Sequence, residues 1–183
     1  MTGFIPEITT TISVESDTSA LQESLDLMNS SEILSECFTD IISYLEEKKE
    51  ESEKLIDPTA EAVAQGLSAY QSAIIKTKHY MTGMMANSVD VMKDGEGQYL
   101  VGNTATSVDG FPYPLAIETG RREVYPINVK WLRWFDEGDY SKPIFAKKSR
   151  SVKADPYVDY SIQNLEEAID EIVNPIINQV WSD

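Results

Sequence analysis

The sequence predicts an α+β fold: a small antiparallel β-sheet packed against a long central helix and a C-terminal helix, with an N-terminal helical extension. Three observations carry this. Ala60, Val63, Ala64, Leu67, Tyr70 and Ile74 recur at helical spacing towards Met81. SVDVM and QYLVG flank KDGEG, two strand-like runs around a glycine-containing turn. From Ser161 onward, Ile162, Leu165, Ile169, Ile172, Val173, Ile176, Ile177 and Val180 form a second helical stripe, opposed by Glu166, Glu167, Asp170 and Glu171.

Taken in chain order, ITTTISV (8–14) alternates Ile8, Thr10, Ile12 and Val14 on one side, a strand pattern of β-branched residues. After SDTS, Leu21, Leu25 and Met28 recur at helical steps. NSSE then supplies cap chemistry for Leu34, Phe38, Ile41 and Leu45, so two helices or one broken helix are expected. EEKKEESEK (46–54) has no apolar residue and reads as an exposed helix end or connection. Asp57–Pro58 is an N-cap and first-turn signature for the central helix, which Gly83 interrupts. In the hairpin, Asp94–Gly95 can supply the positive φ of a tight turn. Residues 104–126 read as loop with a short ordered piece around Leu115–Glu118, and Asn128–Phe135 as a short helix. Pro175 is expected to kink the last helix.

The chain has 183 residues, 42% hydrophobic and 25% charged, enough for one domain over 1–183. Within it, 1–56 is a strand and an acidic helical segment, and 57–183 the α+β core. No leader pattern or membrane-length apolar run is present, which predicts a protein made in a cytosol. Cys37 and His79 are single, so an intrachain disulfide and a Cys/His zinc site within one chain are excluded. The net charge of -16 argues against general nucleic-acid binding, which needs phosphate neutralisation by Lys and Arg.

That charge is unevenly spread. Up to Asp57 there are 14 acidic and 3 basic residues; from Arg121 to Lys153, 9 basic and 4 acidic; from Asp155 onward, 7 acidic and no basic. Acidic helical faces are commonly just solvated. A basic strip between acidic flanks also allows recognition of a second copy, or of a partner, by opposite charge.

Chemistry-bearing patterns are sparse. His79, in TKHYM, has no serine elbow to serve and reads as a surface or helix-end residue. KDGEGQ lacks the spacing and following helix of a phosphate loop. Asp90, Asp94 and Glu96 lack the ligand alternation of a calcium loop. Trp131, Trp134 and Phe135, with Lys130 and Arg133, suit a core or subunit contact better than base stacking. No metal or cofactor is expected.

YPLAIETG (113–120) sets Glu118 in an apolar run. Buried unpaired, its carboxylate would cost several kcal/mol, so it needs backbone N–H groups or an arginine, its own or a neighbour's. It reads as an anchor rather than a catalyst, with Gly120 giving the chain freedom to turn after it. The loop so fixed is expected to present Arg121 and Arg122 to another subunit.

Taken in order, HYMTGMMANSV (79–89), a hairpin ending YLVGN, YPLAIETG and FAKKSRSVKADPYVDYSI (145–162) before a last helix resemble the head-tail joining family of long-tailed phages. These are the "gene product ten-like" neck, tail-completion or minor tail proteins of lambdoid type. The likeness spans roughly residues 8–180. Thr82, Gly83, Met85 and Ser88 occupy its TG-x-L-x-x-S segment. Tyr113, Ile117, Glu118 and Gly120 match its tyrosine followed by V/I-E-x-G-T, and Pro156, Tyr157 and Val158 its late Pro-Phe-[LV]. Arg121 stands where threonine is usual, Tyr157 where phenylalanine is, Met85 where leucine is common, and WLRWFDEGDYSKPIF is longer than the minimal form.

The resemblance implies a virion structural protein at the head–tail junction, without catalytic activity or cofactor. It implies rings of identical copies, six or twelve, docked to neighbouring connector and tail proteins. No membrane is involved, and contact with packaged DNA is at most passing, past a negative channel wall. The motif residues, with Arg121, Arg122, Lys147 and Lys148, would be structural or interface positions. Two other readings compete: an acidic cytosolic module that sequesters a basic partner, and a small metal-dependent hydrolase using clustered carboxylates.

Overall fold

A computed structural model describes residues 8–30, 36, 38–79, 83–106, 112–136 and 139–181. Their order is β1 (Thr9–Ser13), α1 (Ser19–Asn29), α2 (Thr39–Lys54), α3 (Ile56–Lys78), α4 (Met84–Asn87), β2 (Val89–Gly95), β3 (Gln98–Asn103), α5 (Tyr113–Glu118), β4 (Leu132–Asp136), β5 (Asp139–Ala146) and α6 (Tyr157–Trp181). The α+β class holds. Strands β1, β3 and β2 form a small antiparallel sheet, α3 is the long central helix and α6 the C-terminal one.

The contacts divide into two compact units. Unit 1 comprises residues 1–10, 67–91 and 101–166; unit 2 comprises 11–66, 92–100 and 167–183. Unit 2 contains 20 acidic and 4 basic residues and unit 1 contains 11 of each, so unit 2 carries the whole net charge of -16.

In unit 1, the end of α3 supplies Ile74 and Ile75 to an apolar cluster with Met85, Ala86, Ala105, Tyr157 and Val158. Ser72 Oγ donates to the carbonyl of Ala86 at 2.8 Å, tying α3 to α4. Asn103 is buried, donating through Nδ2 to Met85 O at 2.8 Å and accepting Ala105 N–H at 3.0 Å. One side chain thus satisfies two buried backbone groups where β3 ends.

In unit 2, Ala60, Val63 and Ala64 of α3 are buried, with Leu25 of α1 and Val180 of α6. Asp57 does not act as the expected N-cap. A single turn residue, Leu55, separates α2 from α3, and the Asp57 carboxylate reaches the β2–β3 turn instead. It accepts from Lys93 Nζ at 2.5 Å, Gly97 N at 3.1 Å and Tyr99 Oη at 3.4 Å. The Lys93 and Gly97 bonds hold its pKa below the ordinary carboxylate value. The hairpin's positive φ also lies elsewhere than expected: Asp94 and Gly95 remain in β2, while Gly97 turns at φ 65°. A Cβ there would sit 2.8 Å from Val14 O, so glycine fits both the turn and the close approach of β1.

The 46–54 run is entirely helical, and its central lysine is not exposed. Lys48 is only 6% accessible. Its ammonium donates to Val180 O at 2.7 Å and pairs with Glu51 at 3.2 Å. Helix α6 has no basic residue in its last turn, so Lys48 supplies the positive charge that a helix C-terminus favours. Asn128–Phe135 is a further correction. Residues 128–131 are irregular, and Leu132 begins β4, antiparallel to β5 with Leu132 opposite Ala146 and Trp134 opposite Ile144. Helix α6 stays continuous through Pro175.

Candidate docking surface

The candidate surface belongs to unit 1 and starts where α5 ends. Glu118 Oε2 accepts the Val158 N–H at 3.2 Å, so the carboxylate meets a free backbone donor in the first turn of α6, where the helix dipole also favours negative charge. Asp155 N–H donates to Ile117 O at 2.9 Å, fastening the same two segments again. Partial burial raises the Glu118 pKa; the Val158 N–H opposes this, and the nearby Asp159 and Asp155 add to it. Tyr157 is fully buried beside it, its hydroxyl without a hydrogen-bond partner among the described residues, and burial pushes its pKa up.

A raised carboxylate pKa has a definite sign. The folded state holds its proton more tightly than the unfolded chain, so this contribution to stability is complete below the unfolded pKa and is lost as pH rises through the folded one. Glu118→Gln keeps an acceptor for Val158 and removes the charge. We expect its melting temperature at pH 7 to equal or exceed wild type, with the gap closing near pH 4. Glu118→Leu, which removes the acceptor, should cost about 0.5–2 kcal/mol, the usual range for a lost helix cap. A Gln variant melting well below wild type at pH 7 would refute this account.

From Glu118 the chain turns at Gly120, φ 76°. Arg121 and Val152 then exchange backbone hydrogen bonds of 2.8 and 2.7 Å. The Arg121 guanidinium stays with its own chain, donating to Ser149 Oγ at 3.1 Å and Arg150 O at 3.5 Å. Arg122 is exposed, so it is the outward-facing arginine of the pair. Ser149 fixes Val124 from both sides, donating N–H to Val124 O at 2.8 Å and accepting Val124 N–H at its Oγ at 3.0 Å. Lys148 pairs with Glu123 at 2.7 Å, lowering the carboxyl pKa and raising its own, and Tyr125 Oη also donates to Glu123. Lys147 lies 5.5 Å above the Trp131 ring.

Above this fastened base, every residue from Arg122 to Trp131 except Pro126 is exposed. Ile127 is 93% accessible, Val129 64% and Tyr125 58%, and Phe145 on β5 is 57% accessible. Large apolar side chains concentrated on so short a stretch make it the candidate interaction surface, with Arg122 and Lys130 exposed among them and Glu123 paired with Lys148.

The other sequence-picked positions lie elsewhere. Gly83, φ 72°, precedes α4; Ser88 O accepts Thr104 N–H at 2.9 Å, and Ser88 Oγ donates to Met84 O. Tyr113 is exposed at the start of α5, and Pro156 immediately precedes α6. Thr82 and the side chains of Trp134 and Phe135 lie outside the described residues. His79 Nε2 lies 3.2 Å from Asp155 Oδ2, an ion pair when the imidazole is protonated but not aligned as a hydrogen bond. Sequence reasoning missed Lys48 and Asn103. Only the polar side chain closing an apolar strand could have pointed to Asn103.

Among the described residues, no three His, Cys, Asp or Glu side chains group as metal ligands, and no helix is long and apolar enough to cross a membrane. No protein-family model, curated protein or solved structure matches the chain.

Proposed function

We propose that this is a virion structural protein of the head–tail junction of a tailed virus, working by ring-forming self-association and by docking to neighbouring connector or tail rings. The observation that carries the reading is the pairing of unlike surfaces on one chain: a basic, apolar loop on a neutral unit, and a second unit bearing the entire net charge of -16. A ring needs one patch to meet a different patch on the next copy, and opposite charge makes such a contact selective. The order of short motifs shared with head-tail joining proteins supports the same reading. Negative-stain microscopy of the purified protein, together with labelling of particles, tests it. Closed rings and particle labelling at the junction are expected; a strictly monomeric protein absent from particles would sink it.

The charge of unit 2 also favours a second reading, an acidic module that occupies a basic partner. A pull-down returning one stoichiometric basic protein, with no rings, would select it.

A further inference from the structure

Building on the ring reading, we propose that an apolar groove in unit 2 receives the 122–131 loop of a second copy. The groove has a volume of about 330 Å³ and is lined by Leu21, Ile56, Ile177 and Trp181, with Glu15 and Asp17 among its polar residues. That volume is at the low end of the ~300–1,000 Å³ typical of ligand sites, enough for a few side chains. Ile177 and Trp181 are 40% and 48% accessible, apolar groups left uncovered in the single chain.

The loop is complementary to it. Tyr125, Ile127 and Val129 lie between Arg122 and Lys130, all five exposed, and the loop's one carboxylate, Glu123, is paired with Lys148. An apolar tip flanked by two cations thus faces an apolar groove that includes two exposed carboxylates. Charge selects a copy in this orientation. A symmetric contact between two acidic units would set -16 against -16, whereas the loop belongs to a unit with no net charge. The contact joins different patches, so repetition extends the assembly until it closes.

Mass photometry and sedimentation of the full chain test this, with wild type compared to Ile127→Asp in the loop and to Trp181→Asp and Ile177→Asp in the groove. All three positions are exposed, and unchanged circular-dichroism melts would verify folding. Each variant should weaken self-association by about tenfold or more, the scale of one buried aliphatic side chain. Mixing Ile127→Asp with Trp181→Asp should restore dimers and nothing larger, because one loop and one groove remain intact. In a Cys37→Ser background, Ile127→Cys on one copy should form a disulfide with Trp181→Cys on another. If wild type assembles and the variants assemble equally well, the loop–groove contact is wrong while the ring reading survives. The same holds if only the loop variant fails, or if the mixed disulfide between the two variants does not form. Wild type that stays monomeric at every concentration overturns both.

Discussion

Gly120→Ala is expected to lower the melting temperature by roughly 6–12 °C, from a loss of about 3 kcal/mol in a chain of this size. Two effects add. At φ 76° an L side chain is strained by about 1–2 kcal/mol. The new Cβ would also lie 2.8 Å from Ala154 N and 3.0 Å from Val152 O, both backbone atoms that cannot rotate away. Relief requires the 152–154 segment to retreat, which pulls against the hydrogen bonds between Val152 and Arg121. The loop base should therefore loosen together with the melt, and amide exchange at Arg121 and Val152 should quicken. A calorimetric melt within about 2 °C of wild type would show that the segment moves aside without cost.

Asn103→Ala should cost about 3 kcal/mol for a different reason. The deletion strands the Ala105 N–H in the unit 1 core, a buried unsatisfied group costing roughly 1–3 kcal/mol, leaves Met85 O with only the 3.3 Å bond from Ser88 N–H, and opens a small void. Asn103→Asp gives the sharper comparison. It keeps an acceptor for Ala105 but turns an oxygen on Met85 O, so it should be no better than alanine at pH 7 and should improve as pH falls and the carboxyl gains a proton to donate. Urea midpoints of the two variants at pH 7 and pH 5 check this; an aspartate variant with wild-type stability at pH 7 would remove Asn103 from its bridging role.

The elements written in periodicity were legible from sequence. The α3 and α6 stripes and the alternating β1 are each set by local side-chain spacing, and the structure places them where that spacing does. What escaped were residues whose state depends on distant partners. Lys48 sits in a run of charges that looks solvated, and its burial follows from a carbonyl 132 residues away. Asp57 carries a local cap signature, but its partners lie 36 to 42 residues on, in a hairpin turn. In 128–135, large aromatics at 3- and 4-residue steps mimic a helix, and LRWFD carries no clean alternation to signal a strand; pairing with β5 decides it. In the candidate surface, YPLAIETG indicated that Glu118 needed partners. The ordered base, in which Ser149 and Val152 return to meet Arg121 and Val124, brings together residues about 25 to 31 positions apart and left no local signature.

The Lys48–Val180 hydrogen bond has a consequence in time. The acceptor belongs to the last turn of the last helix, the donor to a helix made 132 residues earlier. During synthesis Lys48 must wait, with its ammonium hydrated, until α6 has been made. Closing so long a loop is entropically slow and gains nothing until the contact forms. The C-terminal turn of α6 should accordingly consolidate late, and unit 2 finishes folding only once α6 has joined α2.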